Sequence, residues 1–320
     1  MWRLIMAVLT YRAAVTRGVA QEMRRDERVV FLGEEAMTAG SMFKTTTGLL
    51  DEFGPRRVRD TPISEQAVLG AAMGAARAGL RPIAEIIFAD FCAVCWDTVV
   101  NEIAKSYHLT KGQVSFPLVI RSGNGAGLRS AARHAQSIES WAMSVPGLKM
   151  VAPSSPRDVV GLLAAAVRDP DPVVFFEQQS LYSIESEVPD GEIVDELGRA
   201  AVLRRGKDGT IVALAAMVPR ALAAAEQLAA RGIECTVIDV RSLIPLDTHA
   251  ILTEVRATGR LFTVEQDPQL CGWGAEVASI AAQECFTDLA GPPVRITTGA
   301  LEDSALPLIA RIVDTVTKAL

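Results

Sequence analysis

Aromatic residues are scarce in this chain, 5% of 320 residues, although hydrophobic residues of all kinds reach 49%. Its interior must therefore be packed mainly with Ala, Val, Leu and Ile. Concentrated positive charge is also lacking. Against 38 acidic residues there are 32 basic ones, a net charge of −6. Without a basic run, a nucleic-acid-binding role has no electrostatic footing. Long apolar runs are missing as well: Met1–Leu9 is too short to span a bilayer and lacks the cleavage context of a signal peptide. We read it as a short extension before the first helix and expect a cytoplasmic protein. The five cysteines, Cys92, Cys95, Cys235, Cys271 and Cys285, are odd in number and scattered, which implies reduced thiols rather than a disulfide framework. Cys92-Ala93-Val94-Cys95 matches C-x-x-C, yet no second pair follows at zinc-ribbon spacing. His108, His134 and His249 are too dispersed to complete a ligand set. The cysteine pair reads as small buried side chains on a helix. There is no G-x-x-x-x-G-K-[ST], and in Gly123-Asn124-Gly125-Ala126-Gly127 the third glycine comes one residue early for a dinucleotide fingerprint. That argues against a Rossmann oxidoreductase and for a flexible turn leading toward His134.

What the chain does have is Asp60-Thr61-Pro62-Ile63-Ser64-Glu65 in front of a helix almost bare of polar side chains. Pro62 favours an extended residue before it, and Ser64 is suited to the N-cap. Glu65 then falls in the first turn, where unpaired N–H groups and the helix dipole favour an anion. Along this helix Gly70, Gly74 and Ala78 recur four apart, as do Ala67, Ala71, Ala75 and Gly79. Glycine costs helix stability, so a ridge this bare predicts close approach of another backbone. Arg77 and the short length argue against a membrane span. The expectation is a tight contact in a core or subunit interface, with Glu65 at its mouth.

Apolar runs alternate with helical segments through the rest of the chain. Val29–Leu32, Pro82–Ile87, Pro117–Ile120 and Val173–Phe176 read as buried strands. Helices are expected at Glu65–Leu80, near Cys92–Tyr107 and at Ser154–Val167. After an acidic, Pro- and Gly-bearing stretch the pattern restarts, with strands at Thr210–Leu214, Ile233–Val240 and Arg260–Val264 and helices at Pro219–Arg231 and Asp247–Thr258. Such alternation implies an α/β protein with parallel, doubly wound sheets. We expect two domains, 1–185 and 200–320, joined by a linker at 186–199.

Several segments resemble, in order, the beta subunit of thiamine diphosphate-dependent 2-oxoacid dehydrogenase E1, of the pyruvate, acetoin and branched-chain type. They are Leu32-Gly33-Glu34-Glu35, Gly48–Gly54, Asp60–Glu65, Glu85–Phe91, Arg133–Ser137, Pro146–Lys149, Arg168–Pro172 and Arg241–Asp247. The resemblance runs from about Leu9 to the C-terminus. It implies a pyrimidine-binding domain followed by a transketolase C-terminal-like domain. It also implies that Glu65 is the carboxylate beside the pyrimidine N1′ of thiamine diphosphate, and that the pyrimidine ring packs on Phe91. Glu34 and Ile87 match further cofactor-pocket positions. His134 matches a histidine facing the active-site channel, where it assists acyl transfer to a lipoyl group. Potassium would be held by backbone carbonyls of Leu118, Ala166, Asp169 and Asp171. The diphosphate and its Mg2+ belong to a G-D-G motif of the alpha subunit, and this chain has no G-D-G. The resemblance thus implies an alpha2beta2 heterotetramer, with a lipoylated E2 acyltransferase as downstream partner.

The sequence also departs from the family pattern. Ala132-Arg133-His134-Ala135-Gln136 stands where A-Q-H-S-Q is common, and Tyr107–Gly112 replaces Y-M-S-G-G. Ala39-Gly40-Ser41 lacks the usual aromatic, and the proline-rich segment before the last helix is shortened to Thr297–Asp303. Three readings follow: an E1 beta subunit acting on a 2-oxoacid or acetoin, half of a split transketolase or acyloin-forming enzyme, and a non-catalytic assembly subunit.

Overall fold

The computed structural model describes residues 6–38, 40–125, 134–298 and 308–320. In chain order the first strands are β1 (Met6–Thr10), β2 (Val29–Gly33), β3 (Val58–Asp60), β4 (Arg81–Phe88), β5 (Val119–Asn124), β6 (Lys149–Val151), β7 (Val173–Gln178) and β8 (Glu185–Pro189). They are followed by β9 (Ala201–Arg204), β10 (Gly209–Ala213), β11 (Cys235–Asp239), β12 (Ser242–Ile244), β13 (Leu261–Pro268) and β14 (Val294–Thr298). Among the described residues the first sheet has the order β12-β6-β7-β5-β4-β2-β3 and the second β14-β13-β10-β11-β9. Every pairing in both sheets is parallel except at the edge strands β12 and β9. Helices cover both faces, which is why β2, β5, β7, β10 and β11 are buried along their whole length.

Local chemistry accounts for most boundaries. Helix Pro156–Arg168 starts at Ser155, whose hydroxyl accepts from the Asp158 N–H, with proline in its first turn. In Pro146-Gly147-Leu148-Lys149 the glycine has φ +98, and a Cβ there would come within 2.0 Å of the Ala104 carbonyl oxygen. Only glycine fits that turn.

Several expectations need correction. Met6–Thr10 is a strand, not an extension, and it pairs antiparallel with Glu185–Pro189. The single helix expected near Cys92–Tyr107 is three pieces: a 3-10 segment Ala89–Cys95, a π segment Thr98–Ile103 and a short helix Ser106–Leu109. The strand expected at Pro117–Ile120 starts at Val119 and runs on to Asn124. Helix Glu65–Arg77 buries Val68, Leu69, Ala72 and Ala76. Its small-residue face, with Ala67, Ala71, Gly74 and Ala78, is exposed, and a Cβ on Gly70 or Gly74 would meet nothing within 4 Å. Among the described residues no element packs on that ridge.

The two sheets are stitched together. Strand β12 leaves the second domain and adds to β6 of the first. One apolar core runs from Leu69 and Phe176 through Ile238 and Leu243 to Trp273. Beside it, the Arg241 guanidinium bonds Asp158 at 3.0 Å and Asp195 at 2.5 Å. Asp239, fully buried, accepts from the Ser154 hydroxyl at 2.5 Å and from the Arg241 N–H at 2.9 Å. Burial, reinforced by the charge of Asp158, pushes the Asp239 carboxyl up to about 7 against these hydrogen bonds.

A raised carboxyl stabilises the fold fully below its unfolded value of 3.8, and that stability is lost as pH rises toward about 7. In urea unfolding, wild type should therefore lose stability relative to Asp239→Asn across that interval. Parallel stability curves for the two proteins would contradict the assignment.

Candidate active site

In an open parallel sheet, ligands bind beyond the carboxyl ends of the strands, where successive connections leave in opposite directions. Here that point lies between β2 and β4, because β3 sits on one side of β2 and β4 on the other. Glu34 follows β2, Asp60–Glu65 follow β3, and Ile87, Phe88 and Phe91 end or follow β4. The sheet thus brings together residues spread over much of the first domain.

Glu65 opens its helix and is 9% exposed. Ser64 occupies the N-cap, but its side chain makes no cap bond, contrary to expectation. Glu65 makes no hydrogen bond or ion pair with any described residue, so its charge rests on the helix N-terminus alone. Buried thiols line its other side. Burial, with the Glu65 charge adding, pushes Cys95 up to about 12; both Cys92 and Cys95 are free and inert. Glu34 is half-buried, and its carboxyl is raised by burial and then by the charges of Glu65 and Glu85.

Phe43, Phe88, Phe91 and His134 form one aromatic cluster at the end of β4. His134 meets Phe88 edge-on at 4.4 Å and Phe91 at 5.5 Å, and Phe43 packs on Phe88 at 5.6 Å. The His134 Nδ1 is buried without a partner. Ile87 is buried next to Phe88 on β4. Residues Ala39 and 126–133, with the altered Ala132 and Arg133, lie outside the described residues, as do 299–303 of the shortened segment. Of the residues named from the sequence, Phe91 and His134 are in ring contact and Glu34 and Glu65 feel each other's charge; Phe43 and Phe88, which join the aromatic cluster, were not named.

Sequence reading also missed what lies underneath. Arg121, on β5, is opposite Glu85 of β4 in register and bonds it at 2.6 Å. Its other side is in contact with Glu177 of β7. Tyr182 donates to Glu177 at 3.0 Å, and Ser41 donates to Glu85 at 3.0 Å. All three charged groups are buried. Burial pulls the Arg121 proton off, but Glu177 and Glu85 outweigh it and hold the guanidinium charged. The signal was present in the sequence: Glu85, Arg121 and Glu177 each follow an apolar stretch of a buried strand.

Potassium was assigned to Leu118, Ala166, Asp169 and Asp171, and some of these have protein partners. The Leu118 carbonyl accepts the Val173 N–H at 2.9 Å, and the Asp169 carbonyl accepts from Arg81 at 3.3 Å. Lys149 binds the Asp169 carboxylate at 2.7 Å and Asp171 at 3.0 Å. Two side-chain cations therefore already serve this turn. Among the described residues no cluster of His, Cys, Asp and Glu is arranged to hold a metal ion, and no helix is long and apolar enough to cross a membrane.

A buried, unpaired carboxylate beside an aromatic wall fits a heteroaromatic base that shares a proton with it. Comparison with known proteins identifies the family. Residues 7–185 match the transketolase pyrimidine-binding domain and residues 198–307 the transketolase C-terminal domain. The chain is thus a transketolase-type protein. It is 41% identical to the beta subunit of Bacillus subtilis acetoin:2,6-dichlorophenolindophenol oxidoreductase, over 96% of this chain and 95% of that one. Identity is also 41% with the pyruvate dehydrogenase E1 beta subunit of Rickettsia felis, over 97% and 98%. A solved split-gene transketolase, an inactive beta4 tetramer, superimposes with a TM-score of 0.81 at 26% identity, covering 98% of each chain. This chain belongs to the family of E1 beta subunits of thiamine diphosphate-dependent 2-oxoacid and acetoin dehydrogenases.

Replacing Arg121 by Met would leave two buried carboxylates facing each other without a cation. Stability should fall by about 3–5 kcal/mol, measured by urea unfolding. A loss within about 0.5 kcal/mol, as for an ordinary surface change, would contradict the role given to the triad.

Proposed function

We propose that this chain is the beta half of an E1 enzyme that oxidatively decarboxylates a 2-oxoacid, pyruvate being the first to test, or cleaves acetoin. The acyl group passes to lipoamide, whose dithiolane takes up the two electrons and becomes the acylated dihydrolipoyl group. The single observation that carries the reading is Glu65: buried, without a hydrogen-bonding partner among the described residues, and at a helix N-terminus above the carboxyl edge of the sheet.

Thiamine diphosphate, when bound, supplies a thiazolium carbon that becomes a nucleophile with help from its own aminopyrimidine. The chain's part is to bind and orient. Glu65 shares a proton with the pyrimidine N1′, and Phe91 and Ile87 pack against the ring. Glu34, with its raised carboxyl, is a second proton-carrying group at the same edge. His134, its Nδ1 unpartnered, faces the channel by which the lipoyl group enters. The aromatic wall of Phe43, Phe88 and Phe91 keeps water from one side.

The alpha subunit completes the site in an alpha2beta2 tetramer and holds the diphosphate and Mg2+. Its approach accounts for a small-residue helix face left uncovered in this chain. A lipoylated E2 acyltransferase is the next partner, contacted through the second domain. Potassium, on the carbonyls of Leu118, Ala166, Asp169 and Asp171, would compete with Lys149 and Arg81. The free thiols suit the cytoplasm.

A second reading rests on the likeness to the split-gene transketolase: a carboligating enzyme that releases a ligated product and needs no lipoyl partner. Co-purified with its alpha partner, the chain should turn over pyruvate, branched 2-oxoacids or acetoin with an artificial electron acceptor. Glu65→Gln should lower kcat at least 100-fold, since acid–base groups contribute about 10²–10⁴-fold. Cofactor binding without any such turnover would favour carboligation. Absence of cofactor binding would overturn the enzyme reading.

A further inference from the structure

Helix Tyr11–Arg25 and the turn that leads into helix Leu49–Phe53 flank a groove of about 470 Å3. Its wall carries four cations, Arg12, Arg17, Arg24 and Lys44, against one carboxylate, Glu52. Arg24 occupies that carboxylate with two bonds, at 2.5 and 2.7 Å. The wall offers Arg12 and Arg17 no other. Arg17 Nη2 donates to the carbonyl oxygens of Pro189 and, at 3.1 Å, of Gly191. These fix the guanidinium without cancelling its charge. Arg12 lies over the Tyr182 ring, 5.7 Å from its centre, and its Nε is buried without a partner. In a chain of net charge −6 the groove is a local field of the opposite sign, and a concave wall focuses such a field on an approaching anion.

The chemistry narrows the ligand. Guanidinium forks match the oxygens of a phosphate group, which can accept two parallel N–H bonds from each. A phosphate ester carries about two negative charges at neutral pH, enough to balance both arginines, whereas a single carboxylate balances one. Both guanidiniums are held in place by the protein before any ligand arrives, which lowers the cost of ordering them.

The groove also touches the active site. Ser41 and Lys44 have φ of +67 and +60, left-handed backbone that residues other than glycine adopt at a cost, and that recurs at ligand clamps and switches. Between them stands Phe43, which packs on Phe88 at 5.6 Å and on Tyr182 at 5.4 Å. The next residue, Lys44, lines the groove. The Thr45 carbonyl accepts the hydroxyl of Thr16, another groove residue, at 2.9 Å. The Thr45 hydroxyl accepts from Arg121 of the buried triad. One short loop therefore meets the groove and the aromatic cluster at adjacent positions.

We propose that this groove binds a small phosphate-bearing anion between Arg12, Arg17 and Lys44, and that Lys44 and Tyr182 convey its presence to Phe43. Neither the groove nor its link to Phe43 depends on the reaction proposed for the active site.

Isothermal titration calorimetry of the full chain, at constant pH and ionic strength, tests the site with inorganic phosphate and with glycerol 3-phosphate. Saturable binding of at least one is expected. Arg12→Gln and Arg17→Gln should each weaken it about tenfold or more, since a charge-assisted hydrogen bond is lost. Lys207→Gln, an exposed cation of the second domain, should leave it unchanged. Tighter binding of the ester would mark a phosphorylated metabolite as the ligand, and tighter binding of inorganic phosphate the free ion; either supports the site. At saturation, hydrogen exchange across residues 41–47 should slow in wild type and not in Arg12→Gln. Titration without saturation would overturn the proposal, as would equal weakening by all three substitutions. Saturable binding that leaves exchange at 41–47 untouched would overturn the link to Phe43. Should Arg17→Gln fail to fold, Arg12→Gln against Lys207→Gln decides. A chain that binds phosphate as expected yet shows no thiamine-dependent turnover would sink the functional reading alone.

Discussion

The buried contact of Arg121 with Glu85 and Glu177 is the constraint on which the rest of the first domain depends. It joins three adjacent strands at the end of the sheet where ligands bind. Through Ser41 and Tyr182 it reaches the loop that delivers Phe43 to the aromatic wall. Burying three charges is expensive, and a triad of this kind contributes little net stability over apolar side chains of similar volume. Its effect is on placement. With the guanidinium between them, the carboxylates fix strand register and loop position together, so Glu34 and Phe43 arrive at the same edge as Glu65.

A second feature is division of labour between chains. The first domain supplies a carboxylate, an aromatic wall and a histidine, but no G-D-G motif for a diphosphate. The helix behind Glu65 keeps Ala67, Ala71, Gly74 and Ala78 bare and exposed. Such a surface serves close approach of another backbone. The second domain acts by bracing: β12 extends the first sheet, and Gln266 lies against Gly125 at the end of β5. The fold therefore holds half a site in place for a partner to complete.

Much of this was legible in the sequence, for identifiable reasons. The strands β2, β7, β10 and β11 are buried on both faces and are rich in apolar residues. Glu65, Phe91 and His134 stood out because ordered motifs surround them. The antiparallel pair β1–β8 was not legible: the short apolar run of β1 leaves Met6 and Val8 exposed, and β8 carries two exposed glutamates. The stretch near Cys92–Tyr107 was read as one helix, whereas 3-10 and π geometry break it. Phe43 and Phe88 were missed because they touch across 45 positions of chain. Arg121 and Glu177 were not named from the sequence, because no motif surrounds them. Only the sheet register shows what they face.

The central claim is that Glu65 meets the pyrimidine of thiamine diphosphate at an interface with a second subunit. An experimental structure of the chain bound to its alpha partner and the cofactor tests it most directly. The account predicts the Glu65 carboxylate within about 2.6–3.2 Å of the pyrimidine N1′, as proton sharing requires, with Phe91 against the ring. A cofactor held wholly by the alpha subunit, or a pyrimidine facing another carboxylate, would contradict it.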